Sequence, residues 1–433
     1  MKIRKDIFFI VLTYFTVFIY LGRFDDNTLL KILPAITLSV AAIVFYGKND
    51  KLKNKRDYQN KTSIWFKFLV VIMSGAIVRT NLPTATAIGT INNVVTFIMF
   101  VVFSHQVFKY VYLKHNNNIK ILHSVIVGPF FVFALVNVIF WLLGFQGADE
   151  GAGLGQSVSA GILGFNLNRV KFFFANGINS YSTVIGALLA IQLTYCFVLK
   201  NKGVVNYFIT FIFLLTIVVT DSRAALGYGA SVAIFLYLIK NGKRVAFLKW
   251  LPLIVILGPL LMASLFPILA TSDAFSSISR SKEDFATGNS RFIIWGFAVS
   301  EFLVFQPIQI IGYGLYGHFG SGASLLWDTF FASYDNPEIV HPHNTALSIL
   351  FDYGYLGFIT FMIYMFQIFR RLHKIWFLNR GLSILCFSFL IYFVLISVTE
   401  SFYGFYYLDS IYLIFMFFFV ANNINIKDYA NKA

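Results

Sequence analysis

Apolar residues in this chain gather in long runs rather than in the short alternation of strands. Many runs approach the roughly 20 residues needed to cross a bilayer. They fall near 7–21, 29–46, 64–80, 91–108, 121–143, 179–199, 204–221, 224–239, 250–270, 344–369, 381–399 and 403–420, about twelve in all. Two polar connectors are long. One runs from about Gly144 to Ile178, the other from about Thr271 to His343, the latter roughly seventy residues and far beyond a normal connection. Inside the second, Phe292, Trp295, Val299, Phe302 and Leu303 recur at helical spacing. That predicts a helix over Ser290–Phe305, stopped by Pro307 and lying along the membrane surface on its aromatic face. The pattern predicts an all-α, polytopic integral membrane protein with about twelve transmembrane helices. It predicts one membrane domain over 1–433, with a large extracytoplasmic loop at 271–343 before the tenth span. A β-barrel would show alternating ten-residue segments, and none dominate.

Composition sharpens this. Of 433 residues, 58% are hydrophobic and 12% charged, whereas a soluble chain carries about twice that charge. The net charge of +15 invites a nucleic-acid reading, but its position argues against one. Most Lys and Arg residues fall in alternate short connectors: Lys2, Arg4 and Lys5; Lys48 to Lys61; Lys109, Lys114 and Lys120; Lys200 and Lys202; Lys240, Lys243 and Arg244; Arg370, Arg371 and Lys374; Lys427. By the positive-inside rule these connectors and both termini face the cytoplasm. MKIRK and the apolar run after it lack a small-residue cleavage site and read as an uncleaved first span. Cys196 and Cys386 lie inside apolar runs and suggest neither a disulfide framework nor a metal site.

The opposite set of connectors is poor in cations, so its few arginines stand out: Arg23, Arg79, Arg169 beside Lys171, Arg223, Arg280 and Arg291. A guanidinium suits bidentate contact with phosphate. Arg223, in TDSRAALGYG, sits at a span mouth and reads either as a snorkelling charge paired with Asp221 or as a diphosphate clamp. Arg291 opens the loop helix, where a helix N-terminus already favours anions; the bland alternative is a solvated charge. HPHN places His341, His343 and Asn344 where the loop meets the next apolar run. His341 precedes Pro342 and should be extended, while Asn344 is a plausible helix cap. A histidine there holds an anion, exchanges a proton, or serves as a polar anchor. His318 and Glu400 are weaker candidates, Glu400 as a structural group or one that orients a base. Gly151-Ala-Gly-Leu-Gly155 lacks P-loop spacing and reads as flexible loop. No acidic pair, HExxH or Cys/His cluster marks a metal.

Three of these segments together resemble the bacterial O-antigen ligase/O-antigen polymerase superfamily. Its pattern is His followed by Asn, Ser or Gln, a nine-residue gap, then Gly-x-x-Gly after a large outer loop. Here His343 and Asn344 are followed by nine residues and then Gly354, Tyr355, Leu356 and Gly357. Ser222-Arg223 is similar to the family's Ser-Arg at an outer span end. Arg291, Trp295, Pro307, Gly312 and Gly314 are similar to its loop pattern. The matching motifs cover roughly the C-terminal half.

The resemblance implies glycosyl transfer on the outer face of the cytoplasmic membrane from a glycan on undecaprenyl diphosphate, with no nucleotide, metal or other cofactor. A polymerase moves the growing chain onto the next lipid-linked repeat unit; a ligase moves the finished chain onto lipid A-core. The polymerase reading is preferred because polymerases are the more diverse group. On this reading Arg223 and Arg291 neutralise the leaving diphosphate. His343 is a general base or a phosphate donor, and Asn344 orients it or a sugar. Arg79, Arg169, Lys171, His341 and His318 are substrate-binding candidates. The implied partners are the lipid-linked oligosaccharide, the bilayer and a chain-length regulator protein, with no nucleic acid. The rival class is a flippase of lipid-linked sugars, which predicts inverted repeats and mid-membrane charges; no repeat is visible.

Overall fold

The computed structural model describes residues 5–23, 32–52, 62–147, 157, 160–161, 164, 167–242, 245–269, 290–331, 337–403 and 408–423. Among these the chain is helical, with no strand. The N-terminal half is built from α1 (Lys5–Arg23), α2 (Leu33–Asp50), α3 (Ile64–Val78), α4 (Ala87–His115) and α5 (Ile119–Leu142). Next come α6 (Ile178–Leu193), α7 (Val204–Thr220), α8 (Arg223–Ile239) and α9 (Ile254–Leu269). A loop helix, α10 (Arg291–Ser300), precedes α11 (Thr345–Leu378), α12 (Arg380–Thr399) and α13 (Leu408–Asn423). Each run expected to span overlaps one of these helices. Among the described residues, six segments are long and apolar enough to cross a membrane: α4, α5, α6 with its π turn, 246–265, α11 and α12. The protein is therefore an all-helical, multi-pass membrane protein.

Helix starts follow the local sequence. Ser63, Thr86, Asn118 and Asn379 accept backbone N–H groups that open α3, α4, α5 and α12. α12 is the axis of the C-terminal half, buried along almost its whole length and packed on α6, α8, α9 and α11. In lipid, helices associate through close packing rather than through hydrophobic burial, so small residues gather at crossings. Gly186 on α6 is such a place: a Cβ there would meet the Tyr392 hydroxyl and Ala225. Tyr392 donates to the Thr183 carbonyl at 2.8 Å.

α11 is two helices joined across a kink at Gly354, whose φ of 66° only glycine adopts without strain. The kink frees carbonyls that must find partners at this depth. Tyr313 N–H donates to the Phe351 carbonyl at 2.7 Å, and Gly314 N–H to the Asp352 carbonyl at 3.2 Å. Gly312 and Gly354 approach backbone to backbone, so a Cβ on either would strike the other's amide nitrogen. Asp352 Oδ1 accepts from Gly317 N–H at 2.9 Å. The two glycine motifs seen in the sequence thus form one interlock, which seats the loop on the end of α11.

The loop helix is shorter than expected. It ends at Ser300 rather than near Phe305, and Pro307 opens a separate turn, Pro307–Ile310. The Gln309 amide donates to the Glu301 carbonyl at 2.9 Å, capturing the chain where the helix would have continued. The helix turns Ile294, Trp295 and Ala298 inward against Trp327, Leu347, Phe351 and Val398, and leaves Val299 exposed.

Candidate functional site

The end of α12, the start of α11 and the start of α10 converge. Thr345 Oγ1 donates to the Glu400 carbonyl at 2.8 Å and accepts from Phe402 N–H at 3.0 Å. The Asn344 side chain accepts from Leu347 N–H at 3.0 Å and donates to the Val398 carbonyl at 2.9 Å. Asn344 is therefore the helix cap the sequence suggested, and its amide also ties α11 to α12. Two tryptophans grip the chain just before it: Trp295 Nε1 donates to the Pro342 carbonyl, and Trp327 Nε1 to the Val340 carbonyl, each at 3.0 Å.

This frame presents one carboxylate to two basic groups. Glu400, 5% exposed, caps the end of α12. Its Oε1 accepts from Arg291 Nη2, and its Oε2 pairs with His343 Nδ1 at 3.1 Å. Burial alone would raise the Glu400 carboxyl, but the Arg291 charge and the His343 contact overcome it and hold it below its ordinary range. A carboxylate on Nδ1 fixes the proton there and leaves the Nε2 lone pair available. Nε2 has no hydrogen-bond partner among the described residues, and neither do Nε and Nη1 of Arg291. His343 adopts φ 49°, left-handed backbone that is rare for a side-chain-bearing residue and collects at functional sites. Chemically the cluster can take a proton at Nε2 and offer guanidinium N–H groups to an anion.

The other candidates are placed as follows. Arg223 opens α8 next to the turn where Asp221, at φ 56°, ends α7. Five residues on, Tyr228 lies close enough to Arg291 and Glu400 to feel their charges, so the start of α8 is at the same end of the bundle. Arg169 Nε donates to the Thr220 carbonyl at 3.3 Å, a cation on a helix C-terminus. The Lys171 carbonyl accepts from Gly147 N–H at 2.9 Å. Arg79 is committed elsewhere: Nη1 and Nη2 donate to the Gly312 and Ile311 carbonyls at 2.7 and 3.0 Å, clamping the interlocked turn to the end of α3. His318 is fully buried, its Nε2 3.0 Å from the Ile339 carbonyl, and burial pushes it down to about 4. These contacts give Arg79 and His318 scaffolding partners. Gly151–Gly155, Arg280 and the Arg23 side chain lie outside the described residues.

Ser401 and Ser348 were not singled out in the sequence, yet they join the cluster: Ser401 Oγ lies 3.2 Å from His341 Nδ1 and 2.6 Å from Ser348 Oγ. The only available signal was Thr399-Glu400-Ser401 interrupting an apolar stretch. Among the described residues no group of three or more His, Cys, Asp or Glu could hold a metal ion.

The cluster is a buried acid–base pair with an arginine at the end of a helical membrane bundle, and comparison shows what part of the chain is similar to. Residues 208–362, which include Arg223, Arg291, His343 and the glycine interlock, match the family model described as O-antigen ligase. A Rickettsia prowazekii (strain Madrid E) protein provisionally named a polysaccharide ligase is 25% identical over 192 residues, 43% of this chain and 45% of that protein. A like-named protein of Rickettsia conorii (strain ATCC VR-613 / Malish 7) is 28% identical over 195 residues, 43% and 44% of the two chains. The aligned region thus spans less than half the length of the curated relatives it matches. Residues 208–362 are thus similar to the O-antigen ligase family.

Proposed function

We propose that this protein transfers a glycan from undecaprenyl diphosphate to an acceptor hydroxyl on the extracytoplasmic face of the bacterial cytoplasmic membrane. The observation that supports it most is the His343–Glu400–Arg291 cluster, two of whose members, Arg291 and His343, lie inside the segment matched by the O-antigen ligase family model. Glu400 holds the His343 proton on Nδ1, and Nε2 takes the proton of the acceptor hydroxyl as the oxygen attacks the anomeric carbon. The bond from that carbon to the diphosphate oxygen breaks, and its electrons leave with the diphosphate. The spare N–H groups of Arg291, with Arg223, neutralise the departing charge. Asn344 acts as cap and tie. On this reading Arg169 and Lys171 guide the second substrate from the α7–α8 side, and both termini face the cytoplasm.

The acceptor divides the reading. Diversity within the superfamily favours a polymerase, acting on the next lipid-linked repeat unit with a chain-length regulator as partner. The names of the two relatives favour a ligase, acting on lipid A-core. Purified protein given only lipid-linked repeat units separates them: longer glycans mean polymerase, and translocation without new bonds means flippase. His343→Ala tests the chemistry in either case. It should abolish surface glycan on gels at normal protein level, and undiminished long chains would remove His343 from the mechanism.

A further inference from the structure

His341 was expected to touch substrate. Its contacts assign it a different task. His341 Nδ1 accepts the backbone N–H of His343 at 3.2 Å, so Nδ1 carries no proton and the ring is neutral with its proton on Nε2. Ser401 Oγ, 3.2 Å from the same nitrogen, shares that nitrogen's one lone pair with the amide, and the Ser348 hydroxyl lies 2.6 Å beyond Ser401. The ring also packs edge-on against His343, with centroids 4.5 Å apart. The residue whose amide is held is the one with left-handed backbone, φ 49°. No glycine relieves that conformation, so something must hold it.

We propose that His341 is a positioning residue whose Nδ1, braced by Ser401 and Ser348, accepts the His343 amide and locks His343 in the left-handed conformation that delivers its ring to Glu400. This rests on the reading of His343 as the proton acceptor. Among the described residues, Arg291, His318 and His343 are charged or titratable groups close to His341, and Glu400 lies beyond His343. With burial, which acts most strongly, His343, His318 and Arg291 keep its imidazole well below the ordinary histidine value, so the acceptor lone pair persists at neutral pH.

The test uses side-chain geometry. Oδ1 of Asn stands two bonds from Cβ, as Nδ1 does, whereas a Gln amide reaches toward the position of Nε2. The variants His341→Asn, His341→Gln and His341→Ala are expressed in a strain lacking the chain; surface glycan is read on gels and protein level by immunoblot. His341→Asn should hold glycan within about threefold of wild type, while Ala and Gln should fall about tenfold or more, the factor expected when a strained backbone is released. Equal loss in Asn and Ala, Gln matching Asn, or no loss in any variant overturns the proposal. A second readout needs no substrate. With ¹⁵N-histidine protein in lipid nanodiscs, the signal lost in His341→Asn should be that of an unprotonated Nδ1, and a protonated Nδ1 overturns the lock. If His343→Ala retains full glycan, the reading of His343 falls, and the nitrogen signal still decides the lock.

Discussion

Replacing Glu400 with Gln removes one charge and almost no volume. In the wild type, Oε1 accepts from Arg291 and Oε2 pairs with His343 at 3.1 Å. A Gln amide has one acceptor oxygen; its nitrogen must face an N–H of either Arg291 or His343. Facing Arg291, the amide nitrogen loses that contact; facing His343, it keeps the contact only if the imidazole moves its proton to Nε2 and gives up the free lone pair there. Removing one partner of a buried pair costs about 3–5 kcal/mol. Arg291 keeps 20% side-chain exposure and can recruit water, which places the cost near the low end, about 3 kcal/mol. The Glu400 carboxyl is held below its ordinary range when folded. A group with a depressed folded-state value contributes stability that is complete above the unfolded value, about pH 4.3, and is lost as pH falls through the folded one. Thermal unfolding in nanodiscs should therefore show wild type losing stability on acidification below about pH 4.3, and Glu400→Gln losing much less of it in that window. At neutral pH the variant should unfold earlier and should transfer glycan about a hundredfold more slowly, the lower end of what positioned acid–base groups supply. Wild-type unfolding at pH 7 together with wild-type glycan output would refute the shared-carboxylate reasoning.

Two further outcomes follow from the scaffold. Gly354→Ala should destabilise by about 1–3 kcal/mol from the left-handed backbone alone, with more from the approach of Gly312, seen as a lower melting temperature in nanodiscs. Arg79→Ala should lower stability by about 1.5 kcal/mol while leaving the KM for the lipid-linked donor unchanged, because its guanidinium serves the Ile311 and Gly312 carbonyls; a raised KM with unaltered melting would return Arg79 to substrate binding.

Helix positions were legible because run length and capping are local properties. Asn344, read as a cap from the sequence, opens its helix as expected. His343 and Arg291 were legible as candidates because cations and imidazoles are costly beside lipid unless employed. Three things were not legible. Glu400 was named as a group that orients a base, but it follows His343 by 57 positions, and nothing local says that His343 and Arg291 share its carboxylate. Arg79 looked like a free cation at a span end, but its carbonyl partners are supplied 232 and 233 positions later. The glycines of two motifs read as separate signatures, although Gly312 and Gly354 fill one contact. Each miss is a pairing between distant segments, which periodicity cannot encode.

The charge balance of the cluster explains why one carboxylate serves two basic groups. With His343 neutral, Arg291 and Glu400 cancel, so the buried end of α12 carries no net charge and escapes most of the penalty for burying ions. An unpaired arginine here would have cost stability, and it would have held any passing anion. In the proposed reaction, once Nε2 accepts a proton the cluster becomes net positive, and it does so as the diphosphate departs with its own negative charge. The attraction is weak in the resting state and strong as the bond breaks, which is the differential that lowers a barrier rather than merely tightening binding. It also assigns the two arginines unequal work. Arg291, tied to Glu400, tunes the base and contributes its spare N–H groups, while Arg223, from α8, supplies the cation that is not drawn from the same pair. Arg223→Lys, which keeps the charge but loses the fork, should therefore weaken donor binding, and Arg291→Lys should slow turnover; the opposite split between KM and kcat would reverse the assignment.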